Sequence, residues 1–342
     1  MDHYSYIYGG DWDFTGTIKG IQSFARTEEN TFRENGIWGD KGGQSIMAIL
    51  NGKLIAVNEI GKGGSVICYE IQKDGTLLEC CALELGFPKL SYVVADRLMN
   101  YVYVSSMGNG SVSMIRVEAD GHLELTDQIR LTGHSVTPRQ QCAKVHSVMT
   151  SPDGTLLAAA NLGADEIDLF RIDHKAEKLY FLSSIPIDFG QSPRHMAFHP
   201  NGKYLYLLTE TGNRIYVIAV GKEGLSILAA YNTLKQGETQ ESSAADILVS
   251  RDGRYVYSTN RGQNNIAVWR VEENGMLYLC GFYGCGGKGP RGICFSPDET
   301  ELLSANYDSG TVVRLERDPE TGAIGNVLET LTVPAAGCVR VI

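Results

Sequence analysis

The sequence predicts an all-β fold, a single seven-bladed β-propeller domain spanning residues 1–342 with four antiparallel strands in each blade. Helical periodicity is almost absent, and apolar or alternating runs of about five to eight residues are punctuated by Gly, Asn and Asp. The same succession of strands and turns recurs seven times at a spacing of roughly 46 to 55 residues. Such a unit cannot bury both faces of its sheet alone, so the units are expected to stack around an axis as blades.

The first and second strands of each unit flank a tight turn, of which Pro200-Asn201-Gly202 is the clearest example. The predicted first strands are Ser45–Asn51, Ser91–Ala95, His146–Ser151, Arg194–His199, Asp246–Ser250, Arg291–Ser296 and Cys338–Ile342. The predicted second strands are Tyr4–Gly9, Leu54–Asn58, Tyr101–Ser105, Leu156–Asn161, Tyr204–Thr209, Tyr255–Asn260 and Leu302–Asn306.

The third strand of each unit follows a short loop, and a polar tip such as Lys73-Asp74-Gly75 separates it from the fourth. The predicted third strands are Gly20–Arg26, Ser65–Ile71, Ser111–Val117, Glu166–Ile172, Arg214–Val220, Asn265–Val271 and Thr311–Glu316. Fourth strands are clearest at Leu77–Leu83, Leu123–Ile129 and Tyr180–Ile185.

The two ends of the chain indicate a closed ring. The sequence starts on a second strand and stops after a first strand. The N-terminal strand at residues 4–9 is therefore expected to pair with the C-terminal strand at residues 338–342 and to complete one blade from both ends. This arrangement leaves no strand without a blade.

Composition narrows the range of partners and compartments. The chain carries 40 acidic and 30 basic side chains, a net charge of −10, which argues against nucleic acid and anionic membranes as partners. No apolar run approaches the roughly 18 residues of a membrane helix, and Met1-Asp2-His3-Tyr4 does not begin a secretory signal. The 8 cysteines contain no Cys-x-x-Cys pair and are expected to be reduced and mostly buried. We therefore expect a cytoplasmic protein.

The residues that differ between units locate a candidate site. In a propeller, first strands line the central channel, so residues that begin first strands converge at one mouth with residues that follow second strands. A position used only for packing would hold similar apolar residues in every unit. The position at the start of the first strand instead holds Gln44, Ser91, His146, Arg194, Ala245, Arg291 and Cys338.

Residues at the ends of the second strands add further polar groups to this mouth. Glu210 and Arg261 follow second strands of neighbouring units. Asn161, Asn260 and Asn306 end second strands and are candidate substrate-binding residues, although an Asn there can equally satisfy loop backbone. The arginines could likewise tie blade corners together rather than bind a ligand. An Arg cluster in an acidic protein favours a small anionic ligand.

One unit carries a long polar loop between its fourth strand near Leu131 and His146. Long loops in a tight repeat are functional or tolerated insertions, and we interpret this one as functional. It brings Arg139 as a further candidate for the site. His195 alternates away from Arg194 along its strand and is a candidate substrate-binding residue that could lie in either the core or the mouth. No dinucleotide or phosphate-loop fingerprint and no metal-ligand cluster is evident, so we expect neither a cofactor nor a metal.

With these residues in view, the sequence resembles the seven-bladed lactonase family, which includes bacterial propeller-type 6-phosphogluconolactonases and fungal carboxy-cis,cis-muconate cyclase. The segments that carry the resemblance are Pro138-Arg139-Gln140, His146-Ser147-Val148, Asn161-Leu162-Gly163-Ala164-Asp165, Gly190-Gln191-Ser192-Pro193-Arg194-His195, Thr209-Glu210, Ser258-Thr259-Asn260-Arg261-Gly262 and Gly289-Pro290-Arg291. The resemblance implies that His146, Arg194, Glu210 and Arg261 form the catalytic group. Asn161 departs from the family, which often has Asp there.

The function that this resemblance implies is hydrolysis of an anionic sugar lactone, with 6-phosphogluconolactone, of the pentose phosphate pathway, as the leading candidate. Glu210 or His146 would act as general base, Arg194 and Arg261 would stabilise the oxyanion, and Arg291 or Arg139 would hold a phosphate. Two alternatives use the same residues: an enzyme that lactonises or cyclises an unsaturated dicarboxylic acid, and a non-catalytic propeller that binds an anionic small molecule. The sequence does not give the oligomeric state.

Overall fold

The computed structural model describes residues 4–11, 20–39, 43–58, 63–96, 98–221, 224–238 and 241–342, so the first three residues lie outside the described part of the chain. In chain order the strands begin with β1 (Tyr6–Asp11), β2 (Ile21–Arg26), β3 (Phe32–Trp38), β4 (Ile46–Leu50), β5 (Lys53–Asn58), β6 (Ser65–Ile71), β7 (Leu77–Glu84), β8 (Leu90–Asp96), β9 (Tyr101–Ser106), β10 (Ser111–Val117), β11 (Leu123–Arg130), β12 (Val145–Thr150), β13 (Leu156–Asn161) and β14 (Glu166–Asp173). They continue with β15 (Lys178–Pro186), β16 (Pro193–Phe198), β17 (Tyr204–Thr209), β18 (Arg214–Gly221), β19 (Gly224–Asn232), β20 (Ser243–Val249), β21 (Tyr255–Arg261), β22 (Asn265–Val271), β23 (Leu277–Gly284), β24 (Pro290–Phe295), β25 (Glu301–Asn306), β26 (Thr311–Arg317), β27 (Ile324–Thr332) and β28 (Ala336–Val341).

These strands form seven four-stranded antiparallel sheets, and the all-β, seven-bladed prediction is confirmed. Six sheets contain four consecutive strands, from β4–β7 to β24–β27. The seventh has the order β28-β1-β2-β3. The described residues contain only strands, turns and loops, and among them no helix has the length and apolar character to cross a membrane.

The seventh sheet closes the ring, as the chain ends predicted. Strand β28 pairs with β1 in antiparallel register, with Ile7 opposite Val341 and Gly9 opposite Val339. The carbonyl of Ile342 accepts hydrogen bonds from the backbone N–H groups of Ser5 and Tyr6, at 2.7 and 3.0 Å. The N-terminal strand begins two positions later than residues 4–9 and runs to Asp11.

The core lies between neighbouring sheets. Second strands such as β9 are buried along their whole length, because both of their faces pack against adjacent blades. Fourth strands such as β11 form the outer rim and are exposed or half-buried at every position but one. Burial thus decreases from the inner strands to the outer strands, and the buried inner strands form a rigid frame around the channel.

A backbone irregularity recurs on the inner strands and positions the site. In β12 the pairing passes from Val145 to Ser147 and leaves out His146. The same one-residue bulge leaves out Ser91, Arg194 and Arg291 in β8, β16 and β24. A bulge re-aims the extra side chain and is common beside active sites. In these four strands, the position at the start of the first strand that the sequence selected is thus a bulge.

Two sequence-based expectations need correction. The bulge that corresponds to this position in β28 falls at Gly337 and not at Cys338, which pairs with Gly10. The cysteines are all free, as expected, but they are not mostly buried: only Cys68, Cys285 and Cys338 are buried. Cys80, Cys142 and Cys280 are exposed, because they lie on the outer strands and on a loop.

Candidate active site

The candidate site lies at the mouth of the channel where inner strands begin and second strands end. Bulges carry His146 and Arg194 into it. Glu210 directly follows β17, and Arg261 is the last residue of β21. The backbone of Glu210 is fixed on both sides, since its N–H donates to Ser192 O at 2.8 Å and its carbonyl accepts from Ala244 N–H at 3.1 Å.

Glu210 is the centre of the cluster. Arg139 binds it with two parallel hydrogen bonds, Nη1 to Oε1 at 3.0 Å and Nη2 to Oε2 at 3.3 Å. Arg194 Nε lies 3.5 Å from Oε2, and Arg261 Nη2 lies 3.3 Å from Oε1. His146 Nε2 lies 3.9 Å from Oε2. Four of the predicted site residues therefore converge on one carboxylate.

The charge on this carboxylate is strongly favoured. Burial disfavours ionisation of Glu210, but the positive charges of Arg194, Arg261 and Arg139 outweigh it and lower the pKa of Glu210 to about 2. Glu210 is therefore ionised throughout the neutral range. A carboxylate with this pKa has little affinity for a proton while its arginine partners remain in place.

Arg194 is held rigidly below Glu210. Its side chain is almost completely buried, and Nη1 donates to the carbonyl of Ala245 and to His195 Nε2, the latter at 3.0 Å. Its Nη2 makes no hydrogen bond to the described residues. Burial, followed by the charges of Arg261 and Arg291, lowers the pKa of this guanidinium well below its usual value, whereas Glu210 opposes that shift. The result is a preorganised donor beside the carboxylate.

His146 supplies a neutral imidazole. Burial, followed by the charges of Arg194, His195 and Arg291, holds the pKa of His146 well below 6.5. Its Nδ1 is buried and has no hydrogen-bond partner among the residues that the structure describes, and its ring packs edge-on against His195 with 5.2 Å between ring centroids. At neutral pH the imidazole of His146 is therefore unprotonated.

His195 lies behind Arg194 rather than at the open surface of the mouth. Its Nδ1 hydrogen bonds Asp246 Oδ1 at 2.7 Å, while Nε2 faces Arg194. Burial and the charge of Arg194 lower the pKa of His195 to about 4, although Asp246 opposes the shift. His195 was predicted as a substrate-binding residue, but both of its ring nitrogens are engaged by protein groups.

The long loop between β11 and β12 folds over the site. Gln140 anchors it from inside, because this fully buried side chain donates to Leu162 O at 2.8 Å. Lys144 Nζ donates to the carbonyl of Arg139 at 2.6 Å. Arg139 is the most exposed member of the cluster, with 42% of its side chain accessible. The loop therefore contributes a solvent-facing cation above buried ones.

The sequence did not single out Asp165 as a site residue, although Asp165 connects the two loops that present the arginines. Its carboxylate accepts from Ser135 Oγ at 2.6 Å, Gly190 N–H at 2.6 Å and Ser192 N–H at 2.7 Å. Ser192 has a positive φ of 58° just before β16. The only sequence signal for Asp165 was its place in a segment that carried the resemblance.

The remaining predicted residues lie around the cluster. Arg291 is buried at its bulge, and its charge helps to lower the pKa of His146 and the pKa of Arg194. Asn161 bonds Lys144 N–H, Thr132 O and Glu166. Asn260 and Asn306 are also fully buried and hold loop backbone at Thr233 and Cys285. The three Asn thus make the loop contacts that were the alternative to substrate binding.

A large cavity of about 1060 Å³ opens at the opposite end of the channel. Asp246, Tyr92 and Arg340 line its inner part, whereas His146, Arg194 and Glu210 do not line it. The two mouths are therefore separated by the layer that contains His195 and Asp246. Among the described residues, no group of three or more His, Cys, Asp or Glu side chains could hold a metal ion.

The cluster combines a fixed carboxylate, a neutral imidazole and guanidinium donors. Such groups can accept and return a proton, stabilise a developing oxyanion and bind an anionic substituent with two hydrogen bonds. This set of groups suits ester or lactone chemistry on an anionic molecule.

Comparison with known proteins finds relatives that match nearly the whole chain. A family model described as a seven-bladed β-propeller lactonase matches residues 13–341. A 6-phosphogluconolactonase of Bacillus subtilis is 28% identical over 333 residues, covering 95% of each chain. The crystal structure of a protein from Lactobacillus plantarum superposes with a TM-score of 0.92 at 26% identity. The periplasmic gluconolactonase of Pseudomonas aeruginosa superposes with a TM-score of 0.89, also at 26% identity, and each of these two matches covers 99% of both chains.

Proposed function

Because this chain belongs to the lactonase family of seven-bladed β-propellers, we propose that it hydrolyses an anionic sugar lactone and that 6-phosphogluconolactone is its substrate. The observation that carries the proposal is the convergence of Arg139, Arg194 and Arg261 on Glu210 beside the neutral His146. The names of the relatives from Bacillus subtilis and Pseudomonas aeruginosa support lactone chemistry. The guanidinium groups support an anionic substrate.

His146 is the general base in this mechanism. The carboxylate of Glu210 is engaged by Arg139, Arg194 and Arg261, whereas the imidazole of His146 is neutral at neutral pH and carries a lone pair. A water molecule gives its proton to His146 as its oxygen bonds to the lactone carbonyl carbon. Glu210, 3.9 Å from Nε2, then stabilises the imidazolium that forms.

The arginines act on the tetrahedral intermediate and on the substrate's charged group. Attack moves the carbonyl electron pair onto oxygen, and the Nη2 group of Arg194 and the guanidinium of Arg261 are the donors available to that oxyanion. Collapse of the intermediate breaks the ring C–O bond, and the departing alkoxide takes the proton from His146. Arg139 or Arg291 holds the phosphate, so the product leaves as a phosphorylated hydroxy acid.

The test is a panel of phosphorylated lactones, unphosphorylated sugar lactones and muconates, assayed with wild type and with His146→Ala, Arg194→Ala and Glu210→Gln. Wild type should consume 6-phosphogluconolactone faster than it hydrolyses spontaneously. Each variant should lose about 10²- to 10⁴-fold in rate, the range for a general acid–base group or an oxyanion donor. His122→Ala, at an exposed histidine on the rim, is the matched control and should keep full activity.

Three outcomes would change the proposal. Failure to accelerate loss of any sugar lactone would reject hydrolysis. Turnover of muconates alone would support the lactonising alternative. Full activity in all three variants would reject the site while leaving the lactonase assignment in place.

A further inference from the structure

We propose that Asp246 is a positioning residue for this site, acting through His195 to hold the Arg194 guanidinium in its productive orientation. The inference rests on the proposed function, because it assigns Arg194 to the oxyanion. Asp246 has no hydrogen bond or ion pair with Glu210, and it is one of the residues that line the opposite cavity. It was not among the residues that the sequence analysis selected for the site.

The contacts form a continuous line across the channel. Asp246 Oδ1 lies 2.7 Å from His195 Nδ1, His195 Nε2 lies 3.0 Å from Arg194 Nη1, and Arg194 Nε lies 3.5 Å from Glu210 Oε2. All are on inner strands or directly after a second strand, so the line is supported by rigid elements. The first two contacts are hydrogen bonds and the third is an ion pair. His195 and Arg194 are 2% and 1% exposed, so water does not compete for the hydrogen bond between them.

The second contact fixes the tautomer of His195. Arg194 Nη1 can only donate, so Nε2 of a neutral His195 must offer a lone pair. The proton of His195 must then be on Nδ1, where an ionised Asp246 accepts it. Although burial disfavours the charge, the hydrogen bonds from His195 and from Ile293 N–H lower the pKa of Asp246. An ionised carboxylate is the partner that this tautomer requires.

The carboxylate has no freedom to rotate away from His195. Oδ1 also accepts from Ile247 N–H at 3.0 Å, and Oδ2 accepts from Ile293 N–H at 2.9 Å. Tyr92 packs edge-on against the His195 ring with 4.8 Å between centroids, and His146 packs on it at 5.2 Å. The ring is thereby clamped on its edges as well as at both nitrogens.

The substitution Asp246→Asn tests this arrangement because neither orientation of the amide satisfies its neighbours. With the amide nitrogen on the His195 side, the imidazole must take the other tautomer, and its Nε2–H then opposes Arg194 Nη1–H. With the nitrogen on the other side, the amide opposes Ile293 N–H. Either clash displaces a group of the site, and small misplacements at a reacting centre can cost on the order of 100-fold in rate.

The experiment compares Asp246→Asn with Asp96→Asn. Asp96 is also buried and also pairs with a histidine, His174, at 2.9 Å, but that pair lies away from the cluster. We expect kcat for Asp246→Asn to fall on the order of 100-fold with KM changed far less, because the phosphate contacts are untouched. Asp96→Asn should keep the wild-type kcat.

The second readout is the tautomer of His195 in long-range ¹H–¹⁵N spectra, which does not depend on activity. Wild type and Asp96→Asn should carry the proton on Nδ1. Asp246→Asn should move it to Nε2 or broaden both signals. His195→Phe keeps the ring packing but removes both nitrogens, so the double variant Asp246→Asn/His195→Phe should be no slower than His195→Phe alone.

Wild-type kcat in Asp246→Asn, with the proton still on Nδ1, would overturn the proposal. So would additive losses in the double variant, because they would mean that Asp246 acts independently of His195. If Asp246→Asn does not fold, His195→Phe tests the same link, and unchanged kcat in it would be decisive against. If wild type hydrolyses no lactone, the proposed function fails, while the tautomer measurement still decides the structural link.

Discussion

At the residue scale, the site depends on one carboxylate that compensates several buried cations. Arg194 is among the largest fully buried side chains of the protein, and Arg261 and Arg291 raise the cost of its charge. A buried charge without a partner costs several kcal/mol. Glu210 is therefore expected to stabilise the fold as well as to serve the reaction.

The first prediction concerns Glu210→Gln and the dependence of stability on pH. The pKa of Glu210 falls from 4.5 in the unfolded chain to about 2 in the folded one. A carboxyl with a lowered folded pKa stabilises the protein above its unfolded pKa, and this contribution is lost as pH falls toward the folded value. The shift corresponds to about 3 kcal/mol. At pH 7 the unfolding free energy of wild type should thus be larger than that of Glu210→Gln. This difference should disappear as the pH falls from about 4.5 to 2.

Urea unfolding across this pH range measures the gap. Glu273→Gln, at an exposed position, serves as the control and should follow wild type at every pH. A constant difference between wild type and Glu210→Gln from neutral to acid pH would mean that Glu210 is not held ionised by its arginine partners.

The second prediction concerns the acid limb of the pH–rate profile. Since the pKa of His146 lies well below 6.5, the base should remain unprotonated and kcat/KM should stay level as pH falls from about 8 through 6.5. Arg139 is one of the cations that lower this pKa. Removing that charge in Arg139→Ala raises the pKa of His146, so the acid limb should move to higher pH.

Profiles of kcat/KM for wild type and Arg139→Ala test this directly. Arg251→Ala removes an exposed arginine near the opposite mouth and should not change the pH at which kcat/KM begins to fall on the acid side. A wild-type limb centred at 6.5 or above, or no movement in Arg139→Ala, would contradict the assignment of His146 as a base with a lowered pKa.

Position along the repeat was enough to select His146, Arg194, Glu210 and Arg261, and the long polar loop added Arg139; the structure brings these five together. It was not enough to select Asp246 or Asp165. Their hydrogen bonds join different blades, as from Asp246 to His195 and Ile293. Pairings across so many residues are set by how the blades stack, and a single sequence carries no periodic signal for them.

At the scale of elements, the bulges and the loops position different side chains of the site. The bulges aim His146 and Arg194 from rigid strands. The loop between β11 and β12 supplies Arg139, and the loop between β15 and β16 leads into Arg194. Asp165 accepts hydrogen bonds from both loops and so holds them together. The sequence indicated that the long loop was functional from its length and polarity, but it could not show that the loop closes on Glu210.

The third prediction concerns Asp165→Ala. Loss of the carboxylate that accepts three hydrogen bonds from buried or half-buried donors should destabilise the protein by about 1–3 kcal/mol. It should also release the loop that carries Arg139, so KM should rise by roughly tenfold, about 1.4 kcal/mol of binding. Asp153→Ala is matched to it, because Asp153 accepts from Ser151 Oγ, Thr155 N–H and Thr155 Oγ1 in a turn on the opposite face.

Steady-state kinetics and thermal unfolding of the two variants separate the roles. Asp153→Ala should lose stability with KM unchanged. If both variants raise KM equally, or neither does, Asp165 does not hold the two loops of the site in place.

At the scale of the whole molecule, the two ends of the chain make one blade. This could be predicted because each repeat unit has a fixed strand order, so a chain that begins and stops inside a unit must complete it from both sides. The exact register could not be predicted. The bulge at Gly337, opposite the step from Gly10 to Asp11, shifts the pairing by one residue.

The last prediction concerns this closure and compares two proteins cut at the same place, between Pro334 and Ala335. The first is truncated after Pro334 and lacks β28. The truncation removes the buried Ala336, Cys338 and Val339 and leaves β1 with an unpaired edge. Burial of each larger apolar side chain contributes about 1.5–3 kcal/mol, a sizeable part of a total stability of about 5–15 kcal/mol.

The second is a circular permutant that begins at Ala335, joins Ile342 to Met1 through a short Gly-Ser linker and ends at Pro334. It has every strand, and the hydrogen bonds from Ser5 and Tyr6 to Ile342 show that β28 and β1 meet closely enough for a short connection. We expect the truncated protein to be insoluble or to lack a cooperative unfolding transition, and the permutant to fold and retain activity. Cooperative unfolding of the truncated protein would show that the ring is stable without its closing strand. Failure of the permutant would instead mean that the break at residue 334, and not the loss of β28, is what the fold cannot tolerate.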